Sequence, residues 1–227
     1  MNINQINAVV SWSGGKDSCF ACYKAMLDGI TVSYIYNSVS EEYNRVSFHG
    51  IKADLVHTQA QAIEIPLIQK KVTKDNYEET FKKGMSDLKK KGINAIVFGD
   101  VELQEHRDWI EKICEATGLR PILPLWGKDS QQLLIDFIET GFVATIVSTN
   151  SELIGKRWVG RKIDKSFIAD FLNAKFNKRP HILGENGEYH TVVTDGPIFN
   201  KQIRITDARK ILIDGYWFLD IKKYEVG

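Results

Sequence analysis

The chain has 227 residues, of which 43% are hydrophobic and 26% are charged, and its formal net charge is +1. This composition excludes wholesale disorder and fibrous classes, and the near-zero charge means that no nucleic-acid partner is expected. No apolar run reaches the ~20 residues that cross a bilayer, the amino terminus lacks the basic head of a secretory signal, and the three cysteines give no disulfide framework. We therefore expect a cytoplasmic protein without membrane association.

The first half of the chain alternates apolar strands with amphipathic helices. Strands are predicted at 7–12, 31–36, 66–68, 95–99 and 121–125, and helices at 17–28, at 52–63, along a stripe through Tyr77, Phe81, Met85 and Leu88, and along a face through Trp109, Ile113 and Cys114. Helices between strands imply parallel pairing with right-handed crossovers. We predict an open, Rossmann-like parallel α/β sheet, for which the expected strand order is 3-2-1-4-5.

The second half has a different pattern. Helices are predicted at 129–140 and 164–173, and a strand at 143–148. Near the end of the chain, Asp214-Gly215 suits the two-residue turn of a β-hairpin, because both positions require positive φ. We place a domain boundary near Gly127, which predicts a nucleotide-binding domain over 1–127 and a smaller α+β substrate domain over 128–227.

A glycine-rich segment between the first strand and the first helix gives the strongest chemical signal. It comprises Ser13, Gly14, Gly15, Lys16, Asp17 and Ser18. Two glycines let the backbone approach a ligand, and the helix start that follows offers unpaired N–H groups and a positive dipole end. Lys16 adds a charge, so the segment is predicted to bind phosphate, although the Walker pattern is absent. The alternative is a glycine-rich turn without a ligand.

Topology points to a second position. In doubly wound sheets the ligand lies outside the carboxyl ends of the strands, at the switch point of strand order. Here that point lies between the first strand and the fourth, which ends in Gly99-Asp100. Asp100 could hold Mg²⁺ against the phosphates, or it could be the N-cap of the next helix. Both interpretations stay open.

Carboxylates and an imidazole gather in a second glycine-rich stretch, residues 184–191. Glu185, Glu188 and His190 lie within six positions, and a strand would place Glu188 and His190 on one face. His190 could transfer protons near neutral pH. The alternative is a plain hairpin with a polar outer face.

The SGGKDS segment resembles the pyrophosphate loop of the ATP-pyrophosphatases, whose fold is the adenine nucleotide alpha hydrolase type. Enzymes of this superfamily cleave ATP between the α and β phosphates. They adenylate a carboxylate or carbonyl oxygen, and a nitrogen or sulfur nucleophile then displaces AMP. The resemblance implies that the loop binds the phosphates that leave as pyrophosphate.

With both motifs, the chain resembles the diphthine–ammonia ligase family along almost its whole length. The matching segments are SGGKDS, Phe48-His49-Gly50, Phe98-Gly99-Asp100-Val101, the helix from Arg107 to Cys114, Leu125-Trp126, Gly160-Arg161-Lys162-Ile163-Asp164 and GENGEYHT followed by DGP. The implied reaction joins ammonia to the carboxylate of diphthine on elongation factor two, with ATP and Mg²⁺ as cofactors.

The resemblance also assigns roles to residues. It implies that the nucleotide is bound by the loop and by four further residues, which are His49, Gly99, Arg107 and Arg161. Lys16 and Asp100 act on the phosphates, with Asp100 as the metal ligand. Glu185, Glu188 and His190 are expected to line the side of the site that binds the acceptor and ammonia. Free ammonia is the simpler supposition, and a homodimer is left open.

The chain departs from the family pattern at two positions. His190 stands where family members typically have glutamate, and His106 precedes Arg107 where glutamine is common. Such variation is expected in a side branch, including bacterial relatives whose hosts make no diphthamide. The open alternatives are therefore a related enzyme acting on another small carboxylate and an ATP-binding sensor module without catalysis. The Cys19-x-x-Cys22 pair is expected to pack against the sheet rather than to bind metal.

Overall fold

Short, apolar and β-branched strands form a parallel sheet in the computed structural model, which describes residues 5–46 and 49–227. The strands are β1 (Asn7–Ser11), β2 (Thr31–Ser40), β3 (Leu67–Val72), β4 (Ala95–Val97) and β5 (Arg120–Ile122). Their order is β3-β2-β1-β4-β5, and all four pairings are parallel, which confirms the predicted open sheet and its order. The carboxyl ends of β1 and β4 are therefore neighbours at the switch point.

The crossover helices are α1 (Lys16–Leu27), α2 (Ala53–Ala62), α3 (Tyr77–Lys90) and α4 (Gln104–Thr117). β2 extends four residues further than its apolar run suggests. The reason lies at Asn37, which is buried and whose amide donates to the Trp12 carbonyl at 2.8 Å and accepts from Gln69 at 2.9 Å. A buried amide whose nitrogen and oxygen both have hydrogen-bond partners can stay within a strand.

A second, antiparallel sheet follows in the order β7-β6-β9-β8. Its strands are β6 (Val143–Asn150), β7 (Tyr189–Asp195), β8 (Ile203–Ile213) and β9 (Tyr216–Val226), and its helices are α5 (Ser130–Glu139) and α6 (Lys165–Asn173). Asp129 and Asp164 cap the two helices by accepting backbone N–H bonds. The predicted hairpin turn is confirmed, with φ of 47° at Asp214 and 80° at Gly215.

The apolar core is continuous between the two halves of the chain. Phe20 on α1 meets Phe137 on α5 edge to face, with 5.8 Å between ring centroids, and meets Phe142 at 6.1 Å. Cys19 and Cys22 on the same helix are buried, and burial raises their pKa values, as expected of packing residues. The helix that follows the glycine-rich loop is thus enclosed by the second half of the chain.

Within the described part of the chain, no helix combines the length and the apolar character that a membrane crossing needs.

Candidate active site

The glycine-rich loop lies where β1 ends and α1 begins. Gly14 has φ of +80° and is buried, and Gly15 is the N-cap of α1 without a side-chain capping bond. Two serines hold the turn: the Ser13 and Ser18 hydroxyls lie 3.2 Å apart, Ser18 Oγ donates to the Gly15 carbonyl, and Gly15 N–H donates to Ser13 Oγ. The loop is therefore already folded into a turn before a helix N-terminus, the arrangement that suits an anion.

Lys16 is buried at this turn. Its side chain is 5% exposed, and Nζ donates to Asp17 Oδ2 at 2.9 Å and to the Leu183 carbonyl. The ammonium group also lies 5.2 Å from the centre of the Tyr189 ring. A phosphate bound by Lys16 would replace these partners or add to them.

The end of β4 touches the loop directly. A Cβ atom built on Gly99 would lie 2.7 Å from the Asp17 carbonyl carbon and 2.8 Å from Ser18 N, so only glycine allows this approach. The N-cap of α4 is Leu103, so the interpretation of Asp100 as that N-cap is wrong. Asp100 Oδ1 instead pairs with His106 Nδ1 at 2.9 Å, and this hydrogen bond raises the pKa of His106.

Glu185 connects the second sheet domain to this edge. Its Oε1 accepts a hydrogen bond from Val101 N–H at 2.7 Å. Burial raises the pKa of the Glu185 carboxyl, and the charges of Asp17 and Asp100 raise it further. Asp17 and Glu185 thus lie near Lys16, but the described residues include no group of three or more His, Cys, Asp or Glu arranged to hold a metal.

Glu188 is used differently from Glu185. Its side chain is buried, Oε1 accepts from His181 N–H at 2.6 Å, and Oε2 accepts from Asn186 N–H at 3.0 Å. These bonds fold the segment 181–188, whose Leu183 carbonyl reaches Lys16 and whose His181 pairs with Glu102 at 3.1 Å. The contacts of Glu188 are those of a residue that shapes the segment rather than of one that contacts the loop.

Replacing Glu188 with glutamine should therefore destabilise the fold. The amide would place an NH₂ group against backbone donors that now meet carboxylate oxygens, which should cost about 1–3 kcal/mol. Urea unfolding measures this difference. An E188Q protein as stable as the original chain would contradict the role assigned to these bonds.

Two histidines lie beside the loop. Their rings are 4.7 Å apart between centroids, and His49 Nδ1 is 2.9 Å from the Thr191 carbonyl oxygen. A Cβ atom on Gly15 would lie 2.5 Å from His49 Cε1, so this imidazole packs on the turn. Burial lowers the pKa of His49 to about 4, and burial together with His49 lowers that of His190. Both rings are neutral at pH 7.

Phe48, part of the matching segment, lies outside the described residues.

These two pKa shifts predict how stability depends on pH. An unfolded chain binds protons on both histidines as the pH falls below about 6.5, whereas the folded chain does not. The free energy of unfolding should therefore fall from pH 6.5 towards pH 4, by up to about 1.4 kcal/mol per pH unit for each ring. Urea unfolding at several pH values measures the slope. The slope should be smaller in H190Q than in the original chain. An equal slope would contradict the lowered pKa assigned to His190.

Two predicted nucleotide ligands make contacts elsewhere. Arg107 donates to Glu111 at 2.8 Å and stacks 5.0 Å from the centre of the Trp126 ring. Arg161 donates to Ser166 at 2.6 Å and to Asp170 at 2.7 Å, both on α6. These contacts do not bring either guanidinium to the loop.

The sequence did not single out two groups that the structure places at the loop. Thr191 Oγ1 accepts from Lys16 N–H at 3.0 Å, and the Leu183 carbonyl accepts from Lys16 Nζ. Thr191 belongs to the GENGEYHT segment and could have been included with it. A backbone carbonyl carries no signal of its own in the sequence. A third addition is Ser148. It lies opposite His190 in the β6–β7 strand pairing, and its buried hydroxyl has no hydrogen-bond partner among the described residues.

The sheet order, the glycine-rich loop after β1 and the close approach of Gly99 define the class of the protein. It has the ATP-pyrophosphatase type of α/β fold, joined to an antiparallel sheet domain. The model of the diphthamide synthase N-terminal domain matches residues 6–121, and that of the diphthamide synthase C-terminal domain matches residues 129–226. The chain therefore belongs to the diphthamide synthase family.

Curated relatives carry the name diphthine–ammonia ligase, which is that of a ligase forming a carbon–nitrogen bond. The Schizosaccharomyces pombe protein is 28% identical, and the match covers 88% of this chain and 36% of the relative. The Danio rerio protein is 25% identical over 88% of this chain and 86% of its own length. The human protein is 24% identical over 88% of this chain and 83% of its own length. The chain thus spans about a third of the yeast relative and most of the two vertebrate ones.

Among solved structures, the chain is similar to a protein described as a predicted subunit of tRNA methyltransferase from Methanocaldococcus jannaschii. That similarity has a TM-score of 0.46 and 15% identity, and it covers 85% of this chain and 98% of the other.

Proposed function

We propose that this chain is an ATP-dependent, AMP-forming ligase that joins ammonia to a carboxylate, with diphthine on elongation factor two as the acceptor. The observation that carries the proposal is the buried Lys16, set in a preformed glycine-rich turn against Gly99. Membership of the diphthamide synthase family and the names of the curated relatives support it.

The proposed reaction has two steps. A carboxylate oxygen of the acceptor forms a bond to the α phosphorus of ATP while the bond from that phosphorus to the pyrophosphate oxygen breaks. The nitrogen of ammonia then forms a bond to the activated carbonyl carbon, AMP leaves, and one proton is released. The products are the amide, AMP and pyrophosphate.

The residues at the turn fit the departing pyrophosphate. The Lys16 ammonium and the first N–H groups of α1 would offset the charge that develops on its oxygens, which is the largest contribution in many transfers at phosphorus. Ser13 and Ser18 hold the turn before substrate arrives, so little reorganisation is needed. Gly99 lets the end of β4 lie close to the start of α1.

Mg²⁺ fits as a partner of the nucleotide. Asp100 supplies a carboxylate oxygen of the kind that hard cations prefer, and phosphate oxygens and waters would complete the coordination. The ion would neutralise phosphate charge. Since Asp100 now pairs with His106, binding of the ion would replace that contact.

The acceptor side is formed by the second domain. We place Glu185, His190 and Ser148 there, because Glu185 lies near Lys16 and the unpaired Ser148 hydroxyl lies across from His190. A division into a nucleotide domain (1–127) and a substrate domain (128–227) is part of this proposal. Family matches that end at residue 121 and begin again at residue 129 support it.

A related enzyme that amidates a different small carboxylate is the second candidate. The observation that favours it is His190, a neutral imidazole where family members typically have glutamate. Substituting a neutral ring for an anionic side chain changes the charge that an acceptor meets. Replacing His190 with glutamate would test which acceptor the site prefers.

Chromatography of the nucleotide products tests the proposal. Purified protein is incubated with Mg-ATP and ammonium, with and without elongation factor two that carries diphthine. AMP and pyrophosphate that form only with the factor would support the ligase and its acceptor together. AMP that forms with another carboxylate but never with the factor would keep the chemistry and discard the acceptor. ADP and phosphate as products would contradict the proposal.

A further inference from the structure

A glutamine that the reaction scheme does not use lies behind the glycine-rich turn. Gln59, on α2, has no exposed surface. Its Nε2 donates to the Gly14 carbonyl at 2.9 Å and to the Val193 carbonyl at 2.7 Å, and its Oε1 accepts from Trp12 Nε1 at 3.1 Å. All the hydrogen-bonding groups of this amide are therefore used, and they join Trp12, which follows β1, to the loop, α2 and β7.

The contact with Gly14 is close as well as directional. A Cβ atom built on Gly14 would lie 2.4 Å from Gln59 Oε1, and φ at this glycine is +80°. The Gly14 carbonyl also accepts a second bond, from Val193 N–H at 2.9 Å. One carbonyl oxygen thus receives two donors on the side of the loop that faces α2 and β7.

This arrangement fixes the direction of a neighbouring N–H group. In a planar trans peptide, the carbonyl of one residue and the N–H of the next point in opposite directions. Because Gln59 and Val193 hold the Gly14 carbonyl on one side, Gly15 N–H must point to the other, where it now meets Ser13 Oγ at 3.3 Å. Successive N–H groups that point into such a turn form an anion-binding concavity.

We propose that Gln59 is a positioning residue that orients the Gly14–Gly15 peptide for phosphate binding. The inference rests on the proposed function, in which the turn binds the pyrophosphate part of ATP. Gln59 does not touch the phosphate itself. It acts through the backbone of Gly14, and it makes the orientation of the loop depend on β7 of the second domain through Val193.

Binding of inorganic pyrophosphate with Mg²⁺, measured by calorimetry, tests this role. Gln59→Met keeps the approximate volume but removes both donations, and it should weaken binding by about tenfold to a hundredfold. Gln59→Glu keeps the shape but can donate at most one hydrogen bond, so it should also weaken binding, and it serves if the methionine variant does not fold.

Met85→Ala is the matched control. Met85 is fully buried in the other core cluster, so its truncation should destabilise the protein without touching the loop. We expect a lower unfolding temperature for M85A with pyrophosphate affinity within about twofold of the original. A merely structural role for Gln59 would instead give the same affinity in all folded variants.

The outcomes separate the two claims. If the original chain binds pyrophosphate and both Gln59 variants bind it equally well, the inference is overturned and the proposed function stands. Equal losses of affinity in Gln59→Met and Met85→Ala would also overturn it. If the original chain binds neither pyrophosphate nor ATP, both the inference and the proposed function fail.

Discussion

Replacing Lys16 with methionine should lower the rate of AMP formation by about a hundredfold to a thousandfold, the usual effect of removing one preorganised group that stabilises a transition state. The reason is that Lys16 supplies a buried ammonium group at the turn, where water cannot take its place. Loss of the ion pair should change stability little, because Asp17 is 39% exposed on its side chain and can be hydrated, whereas the Leu183 carbonyl loses its Lys16 donor, which should cost about 1–3 kcal/mol. Initial rates of pyrophosphate release measure the effect.

Lys24→Met is the control on the same helix. Lys24 lies in the last turn of α1, over the Phe20 ring and about two turns after Lys16. The control should keep activity within about twofold of the original chain, as surface substitutions usually do. Similar rates in Lys16→Met and in the original chain would refute the assignment of the turn as the pyrophosphate site.

Replacing Gly99 with alanine should cost about 1–3 kcal/mol of stability and weaken pyrophosphate binding at least tenfold. The added methyl group would meet the backbone of Asp17 and Ser18, which belongs to the first turn of α1 and cannot move aside as a side chain can. The end of β4 and the start of α1 would have to separate, and the turn would open. Urea unfolding and calorimetry measure the two effects.

Gly92→Ala is the matched glycine control. Gly92 has φ of +90° but faces open space, so alanine should cost only the backbone strain, about 1 kcal/mol, with no effect on pyrophosphate affinity. A G99A protein that binds pyrophosphate as well as G92A does would show that the close approach at Gly99 has no part in the site.

The sequence predicts the parallel sheet well because its signals are local. Apolar runs, glycine stops and the alternation of strands with helices depend on a few neighbouring residues, and the right-handed crossover rule then restricts the topology. The position of Gly99 beside the loop follows from that topology. The contact between His49 and His190 could not be predicted, because no local pattern indicates that residues so far apart in the sequence lie together.

Roles that depend on hydrogen-bond partners distant in sequence could not be predicted. Glu188 has the composition of an active-site carboxylate, yet its oxygens are used by its own segment. Gln59 lies in an ordinary helical stretch, and its importance comes from two carbonyl groups 45 and 134 residues away. The family resemblance predicts a nucleotide role for Arg161, and its guanidinium contacts the carboxylates of Asp164 and Asp170 in the structure.

The central claim is that the carboxylate of the acceptor is activated by transfer of AMP to one of its oxygens. Following isotopically heavy oxygen from the acceptor carboxylate tests it most directly. The protein would be given Mg-ATP, ammonium and the labelled acceptor, and the products would be analysed by mass spectrometry. We predict that the label appears in AMP, in equal amount to the amide formed. Label in inorganic phosphate, or amide formation with unlabelled AMP, would contradict the account.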